Sequence, residues 1–291
     1  MTAIQKKTVR KKPIIYQPFI KWVGGKRGLL SQIIPLLPSE FNHYFEPFIG
    51  GGALFFELYS QGMLKNKKVY LSDINAELVN TYTVVKNNPT ELIKNLLSFQ
   101  SKHNKDFYYE MRELDRQSDF HALSVVEKAT RFIYLNKTCF NGLYRVNKKG
   151  FFNTPMGDYK NPKIADLDTI MNASEALQDA NITDQSFGEV VHFASCSDLV
   201  YFDPPYYPLN TTSSFTAYNE NDFLDEKQKE LFTVFEILHK GECFVVHSNS
   251  DTEFIRNLYQ KYEINLVQAN RSINSKASSR GKINEVVIRN V

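Results

Sequence analysis

The chain has 291 residues, enough to bury a substantial core in one large domain with an insertion or in two unequal lobes. Its hydrophobic share of 42% and charged share of 23% are those of a globular enzyme. No apolar run approaches the roughly 20 residues of a membrane span and the N-terminus has no apolar signal core, which predicts a cytoplasmic protein without a membrane partner. Cys139, Cys196 and Cys243 cannot all pair, and neither they nor the six histidines have metal-ligand spacing, so no disulfide frame and no metal are expected.

The net charge of +3 is unevenly spread. Residues 1–18 read as a flexible basic arm, with Lys6, Lys7, Arg10, Lys11 and Lys12 and no acid among the first twelve residues. Order is predicted from Phe19. Gly24-Gly25-Lys26 makes a tight turn into a helix over Leu29 to Leu37, and His43 to Phe48 reads as a strand running into Gly50-Gly51-Gly52. Ala53 to Tyr59 then has apolar residues at helical spacing. Strand, glycine turn and helix open a Rossmann-like unit, and Asp73, ending the next strand (Val69 to Leu71), stands 23 residues after Gly50, where an acid can reach ribose hydroxyls. Glu46-Pro47-Phe48 puts a carboxylate where a pyrophosphate would approach, so a phosphate-free sulfonium cofactor fits better than a dinucleotide.

Asn75 to Asn136 is predicted helical in pieces, broken at Pro89 and near Gln117 to Phe120, the last piece opened by the capping box Ser124 to Glu127. Tyr144 to Asn147 and Phe151 to Thr154 alternate around Lys148-Lys149-Gly150, the pattern of a β-hairpin. Residues 131–163 carry seven Lys and Arg against Asp158 alone, interleaved with aromatics, which suits a nucleic-acid backbone. Helix returns over 165–180, followed by a buried strand from Leu199 to Phe202. A Thr- and Ser-rich loop, Asn210 to Thr216, is expected to close over the site. Leu231, Val234, Phe235 and Leu238 line a helix ending at Gly241, and strand Cys243 to Val246, helix 251–262 and strands Glu263 to Ala269 and Ile283 to Ile288 complete the alternation. Arg271 to Lys282 is a basic loop suited to a backbone.

The chemistry concentrates at Asp203-Pro204-Pro205-Tyr206, directly after the apolar strand. Proline donates no hydrogen bond and holds the preceding residue extended, so this loop is expected to present outward-facing acceptors. A carboxylate and a proline carbonyl can bind the two protons of an exocyclic amine while an aromatic ring stacks on its base. From this loop alone the amine of adenine and that of cytosine are equally suited.

With Phe45 to Gly52 at one end and Asp203 to Tyr206 at the other, the chain resembles the Dam and DpnII type of DNA adenine-N6 methyltransferase, the class alpha or D12 family. Phe19 to Lys26 resembles the family's N-terminal cofactor motif, Asn141 to Arg145 its recognition hairpin and Arg271-Ser272-Ile273 its C-terminal loop, all in the family's order. The resemblance implies a Rossmann-like S-adenosylmethionine-dependent α/β sheet over 19–81 and 166–291, with a mainly helical target-recognition insert over 82–165. It implies cofactor contacts from Trp22, Lys26, Glu46, Pro47, Phe48, Gly50, Gly52, Asp73, Phe187 and Asp203. Catalysis would fall to Asp203, Pro204, Pro205 and Tyr206, and DNA contacts to Lys21, Phe140, Asn141, Leu143, Arg145 and Pro155. Double-stranded DNA containing GATC is the implied substrate. The enzyme is expected to be a monomer, and pairing with a restriction endonuclease, service to a phage and regulatory marking of DNA are all open to it. Gly157-Asp158-Tyr159-Lys160 departs from the family's frequent Gly-Arg-Tyr-Lys, which weakens one phosphate contact, and Phe140 replaces a frequent tyrosine.

Overall fold

The computed structural model describes residues 14–209, 223–270 and 282–290. Seven strands form one sheet in the order β3-β2-β1-β4-β5-β7-β6: β1 (Tyr44–Glu46), β2 (Val69–Asp73), β3 (Ala180–Asp184), β4 (Leu199–Phe202), β5 (Phe244–Ser250), β6 (Glu263–Asn270) and β7 (Lys282–Arg289). The first five are parallel, and β7 lies antiparallel between β5 and β6. From β1 the chain turns outward to β2 and β3, then returns to β4 on β1's other side. The crevice above the carboxyl ends of β1 and β4 is thus the switch point where such sheets bind ligands.

Alternate strand residues feed two cores. Tyr44, Leu71, Leu199 and Tyr201 face one side, with α2 (Ala53–Ser60), α3 (Ala76–Asn87), α4 (Pro89–Lys102), α6 (Val125–Thr138) and α7 (Leu167–Leu177) supplying partners such as Phe55, Tyr82, Leu92, Phe132 and Ile170. Phe45, Val200, Phe202 and Val245 face the other, against α8 (Asp225–Lys240) and α9 (Glu253–Leu258). The predicted face of α8, Leu231, Val234, Phe235 and Leu238, is buried there. Among the described residues no helix is long and apolar enough to cross a membrane.

Several elements differ from the sequence expectation. The helix over Leu29 to Leu37 is only α1 (Leu30–Ile33) followed by a tighter 3-10 turn over Ile34–Leu36, because Pro35 has no N–H to give to the preceding turn. Strand β3 takes residues assigned to helix or to no element; its sequence is largely polar because it is the sheet edge. Strand β5 runs on through His247, Ser248, Asn249 and Ser250, all buried, and the following helix shrinks to α9, capped by Thr252. A further break at His103 and Asn104 starts α5 (Lys105–Glu113) on an Asn104 cap.

Helices α3, α4 and α5 pack around α6, whose Ser124 to Glu127 capping box forms as expected. Arg131, 2% exposed at the centre of α6, pairs with Asp115 at 2.8 Å and donates to the Met111 and Arg112 carbonyls. Asp115 also accepts the Phe152 N–H at 2.8 Å, and Arg116 donates to the Phe152 carbonyl. The expected hairpin forms, with a Val146 to Phe152 bridge and Asn147 and Asn153 N–H groups donating to Phe151 and Arg145. Phe152 is thereby tied to the Arg131, Asp115 and Arg116 charges. Of the N-terminal arm, residues 14–18 lie along α7 through Tyr16 to Glu175, Gln17 to Thr169 and Asn172 to the Ile15 carbonyl. Residues 1–13, the Asn210 to Thr216 loop, and 271–281 of the basic loop, with Arg271-Ser272-Ile273, lie outside the described residues.

Candidate active site

The carboxyl ends of β1, β2 and β4 bring Glu46, Asp73 and Asp203 to one edge of the sheet. After β1 the chain makes a tight glycine turn. Gly50 and Gly52 have φ of 46° and 68°, which glycine adopts at little cost. A Cβ on Gly50 would stand 2.6 Å from Trp22 Cδ1, and one on Gly52 2.8 Å from the Tyr82 hydroxyl. The turn is therefore closed under Trp22 and over Tyr82, whose hydroxyl donates to the Gly50 carbonyl at 3.1 Å. From β2, Asp73 accepts the Gly50 N–H at 3.2 Å and the Asn75 N–H at 3.0 Å, locking the two strand ends together. Burial pushes the Asp73 carboxyl up, against the opposing pull of these N–H groups.

Glu46 is 3% exposed and accepts the Tyr44 hydroxyl at 2.8 Å. Burial pushes its carboxyl to about 8; the Tyr44 hydroxyl opposes this, the nearby Asp203 adds to it, and the Phe55 N–H in the first turn of α2 also opposes it. Glu46 therefore carries a proton at neutral pH in the cofactor-free protein.

Lys26, 4% exposed, projects from the turn after Trp22. Its ammonium stands 2.7 Å from Asp203 Oδ1, 2.6 Å from the Gly24 carbonyl and 4.4 Å from the centre of the Tyr206 ring. Tyr206 is held at its far end, where its hydroxyl donates to Glu285 at 2.8 Å. Burial raises the Asp203 carboxyl, the Lys26 charge opposes it, and Glu285 adds to the rise. A single nitrogen can thus reach a carboxylate and lie over an aromatic face at once. Pro204 is buried and Pro205 exposed, but the Pro205 carbonyl does not face outward as expected. It accepts from Gln228 Nε2 at 3.2 Å, because the proline-rich loop can satisfy itself only through neighbouring side chains. Phe187 is 7% exposed and stacks on Phe48 with centroids 5.3 Å apart, joining a core cluster at the rim of the site, and Pro47 is buried between Glu46 and Phe48.

The residues expected to meet DNA gather on the hairpin and on Lys21. Phe140 is 53% exposed and Asn141 beside it has φ of 56°, a left-handed conformation that asparagine tolerates. The Phe140 N–H donates to the Pro155 carbonyl, placing these side by side. The Leu143 carbonyl accepts from Thr154, and exposed Arg145 is laid across the hairpin onto Asn153 at 2.7 Å. Lys21 lies against Gly142, where a Cβ would come within 2.6 Å of its Cδ, and its ammonium contacts the Tyr159 hydroxyl and ring.

Sequence reading missed the groups that join these parts. Asn136 accepts the Lys21 N–H and donates to the Lys21 and Gly142 carbonyls, clamping the N-terminal segment to the hairpin turn. Trp22 stacks on Tyr144 at 5.7 Å, and Tyr144 donates to Glu77 at the start of α3. Ile74, beside Asp73, is 82% exposed at the same edge of the sheet. Trp22 and Tyr144 already stood in the cofactor and hairpin motifs, whereas Asn136 and Glu77 are polar side chains on helices with nothing in the sequence to mark them.

Over residues 22–273 the chain matches the family described as D12 class N6 adenine-specific DNA methyltransferase. It is 44% identical over 284 residues to a Type II methyltransferase of Lactococcus lactis subsp. cremoris, covering 97% of this chain and 98% of that one. It is 43% identical over 277 residues to a Type II methyltransferase of Methanocaldococcus jannaschii, covering 91% and 95%. With the DNA adenine methylase of Escherichia coli it shares 34% over 271 residues, covering 92% and 93%.

Proposed function

The chain belongs to the D12 class of N6 adenine-specific DNA methyltransferases, and from that premise we propose that it methylates the N6 amine of an adenine flipped out of duplex DNA, within GATC. The observation that carries this reading is that the Lys26 nitrogen stands at once on the Asp203 carboxylate and over the Tyr206 ring, the pair of contacts that a target amine would take in its place. The glycine turn fits a cofactor without phosphates: its N-terminal approach is occupied by buried Glu46, and side chains at Gly50 and Gly52 would collide with Trp22 and Tyr82. S-adenosylmethionine, when bound, supplies an electrophilic methyl group on a sulfonium sulfur.

In this reading Glu46 and Lys26 hold the charged ends of the cofactor's methionine part, Asp73 takes the ribose hydroxyls, and Trp22, Phe48, Ile74 and Phe187 cover its apolar surfaces. Asp203 and the Pro204 carbonyl accept hydrogen bonds from the two N–H groups of the target amine, favouring a tetrahedral nitrogen with its lone pair aimed outward, and Tyr206 stacks on the ring; one N–H proton is released once the nitrogen is methylated. Hydrogen-bond acceptance and alignment, with no covalent enzyme intermediate, make this catalysis by positioning and electrostatics. The amine cannot reach these groups from within a duplex, so the base leaves the stack. Exposed Phe140 and Asn141 stand at the turn that would fill the gap.

Residues 82–165 act as the target-recognition part and 19–81 with 166–291 as the catalytic part. Lys21 and Arg145 are the guanine readers, since both carry donors suited to its major-groove acceptors. Leu143 and Pro155 read the neighbouring bases by contact. The enzyme works as a monomer, and the Type II names of two relatives support a partnership with a restriction endonuclease. Methyl transfer to matched duplexes with and without GATC, followed by base analysis, tests the reading. Methyladenine confined to the GATC duplex is expected; methylcytosine, or equal transfer to both duplexes, refutes it.

A further inference from the structure

The sheet does not hold the catalytic loop beyond Phe202, and Pro204 and Pro205 have no N–H with which to tie it to itself. Buried side chains from α8 and β5 do so instead. Gln228 donates from Nε2 to the Pro205 carbonyl at 3.2 Å and to the Phe223 carbonyl at 3.3 Å. Asn249 Oδ1 accepts the Tyr207 N–H at 3.0 Å, and Ser250 Oγ donates to the Tyr207 carbonyl at 2.6 Å. The anchors are joined to each other: Asn249 Nδ2 donates to Gln228 Oε1 at 3.0 Å and lies 3.2 Å from His247 Nε2. Gln228, His247 and Asn249 are 0% exposed and Ser250 is 4%.

The direction of each amide is fixed by the next. Asn249 Oδ1 already accepts the N–H groups of Tyr207 and Ser250, so its amino group must face Gln228 and His247. His247 can accept on Nε2 only when neutral, and burial, which lowers its pKa to about 3, keeps it so. Gln228, receiving at Oε1, then points its amino group at the Pro205 carbonyl. His247 Nδ1 is buried without a partner among the described residues, while the amides of Gln228 and Asn249 are oriented at both ends, and such an oriented pair rigidifies what it holds.

We propose that Gln228 and Asn249 are positioning residues for methyl transfer, fixing through Pro205 and Tyr207 the peptides on both sides of Tyr206 and hence the direction of the Asp203 to Tyr206 segment toward the target amine. The inference rests on the reading of that segment as the amine site. Misplacing reacting groups by about 1 Å can cost on the order of 100-fold in rate.

The test is Gln228→Met, which keeps volume and removes the donor to Pro205, with Ser250→Ala as a milder second variant that removes the 2.6 Å bond to the Tyr207 carbonyl and a longer contact to Asn249 Oδ1. Single-turnover methyl transfer to a GATC duplex, dissociation constants for S-adenosylmethionine and for the duplex, and thermal midpoints are measured on each. Gln228→Met is expected to slow transfer on the order of 10- to 100-fold with both dissociation constants within about threefold of wild type, and Ser250→Ala to slow it less in the same pattern. Transfer at the wild-type rate by the folded variants, or a loss that tracks only the folded fraction, overturns the proposal. Should Asp203→Ala keep full activity, the amine-site reading itself fails; an inactive Asp203→Ala beside a fully active Gln228→Met defeats this inference alone.

Discussion

The Lys26 ammonium and the Asp203 carboxylate are 2.7 Å apart at the point where the cofactor turn meets the catalytic loop. Burial raises the Asp203 carboxyl and Lys26 works against that rise. A carboxylate that must accept a hydrogen bond from the amine is needed ionised, so its pKa sets the acid limb of the rate profile. Lys26→Met removes the opposing charge and moves Asp203 further up. At saturating cofactor, the acid limb of single-turnover methyl transfer is expected to shift to higher pH in Lys26→Met; an unshifted limb would show that the ion pair does not tune Asp203.

Glu46 gives a second pH-dependent prediction. Its folded value of about 8 lies above the ordinary 4.5, so the native protein binds a proton that the unfolded chain releases between these values. Stability is therefore lost as pH rises through that window, and the full penalty is present above about 8. Glu46→Gln is expected to stabilise the cofactor-free protein little at pH 4.5 and by at most about 5 kcal/mol at pH 9. Urea unfolding of both proteins at the two values checks it; an equal effect at both would place the carboxyl in its ordinary range.

Gly50 tests the closure of the cofactor turn. Its left-handed conformation costs an L-residue about 1–2 kcal/mol, and the added methyl would meet the Trp22 indole. Gly50→Ala is expected to unfold at lower denaturant and to bind S-adenosylmethionine at least about tenfold more weakly, since 1.4 kcal/mol of displaced contact is tenfold. Calorimetric titration reads the second effect, and unchanged affinity would place the cofactor elsewhere.

Arg131 separates the recognition hairpin from the cofactor site. Removing one member of a buried pair costs about 3–5 kcal/mol because the other charge stays buried. In Arg131→Met that charge is Asp115, which also holds the Phe152 N–H but is half-buried and still paired with Arg116 at 2.8 Å. The variant is expected to lose less stability than that range and to bind GATC duplex more weakly, with S-adenosylmethionine affinity nearly unchanged. Fluorescence anisotropy with labelled duplex measures this; equal loss of both affinities would mean that the hairpin is not specifically supported.

What was legible in the sequence was whatever alternates or turns. The strand, glycine turn and helix around Gly50, the apolar strand before Asp203, the Ser124 cap and the hairpin around Gly150 all appear where period and turn chemistry placed them. What stayed hidden were polar groups inside. Polarity ordinarily marks exposure, so the expected strand stops at Val246, yet His247 to Ser250 continue it and are buried behind the catalytic loop. Gln228 and Asn136 lie on helices whose apolar faces were read correctly, and their value comes only from which carbonyls the fold brings to them. Strand β3 was missed because an edge strand with polar residues gives no burial signal.

The central claim is that Asp203 receives the target amine. The most direct measurement is single-turnover methyl transfer to a GATC duplex by Asp203→Ala, with cofactor affinity and circular dichroism measured on the same sample. The account predicts a rate lower by on the order of 1000-fold, comparable to losing a preorganised electrostatic partner of a transition state, with S-adenosylmethionine still bound by a folded protein. Methyladenine formed by the variant at a rate close to that of the wild type would contradict it.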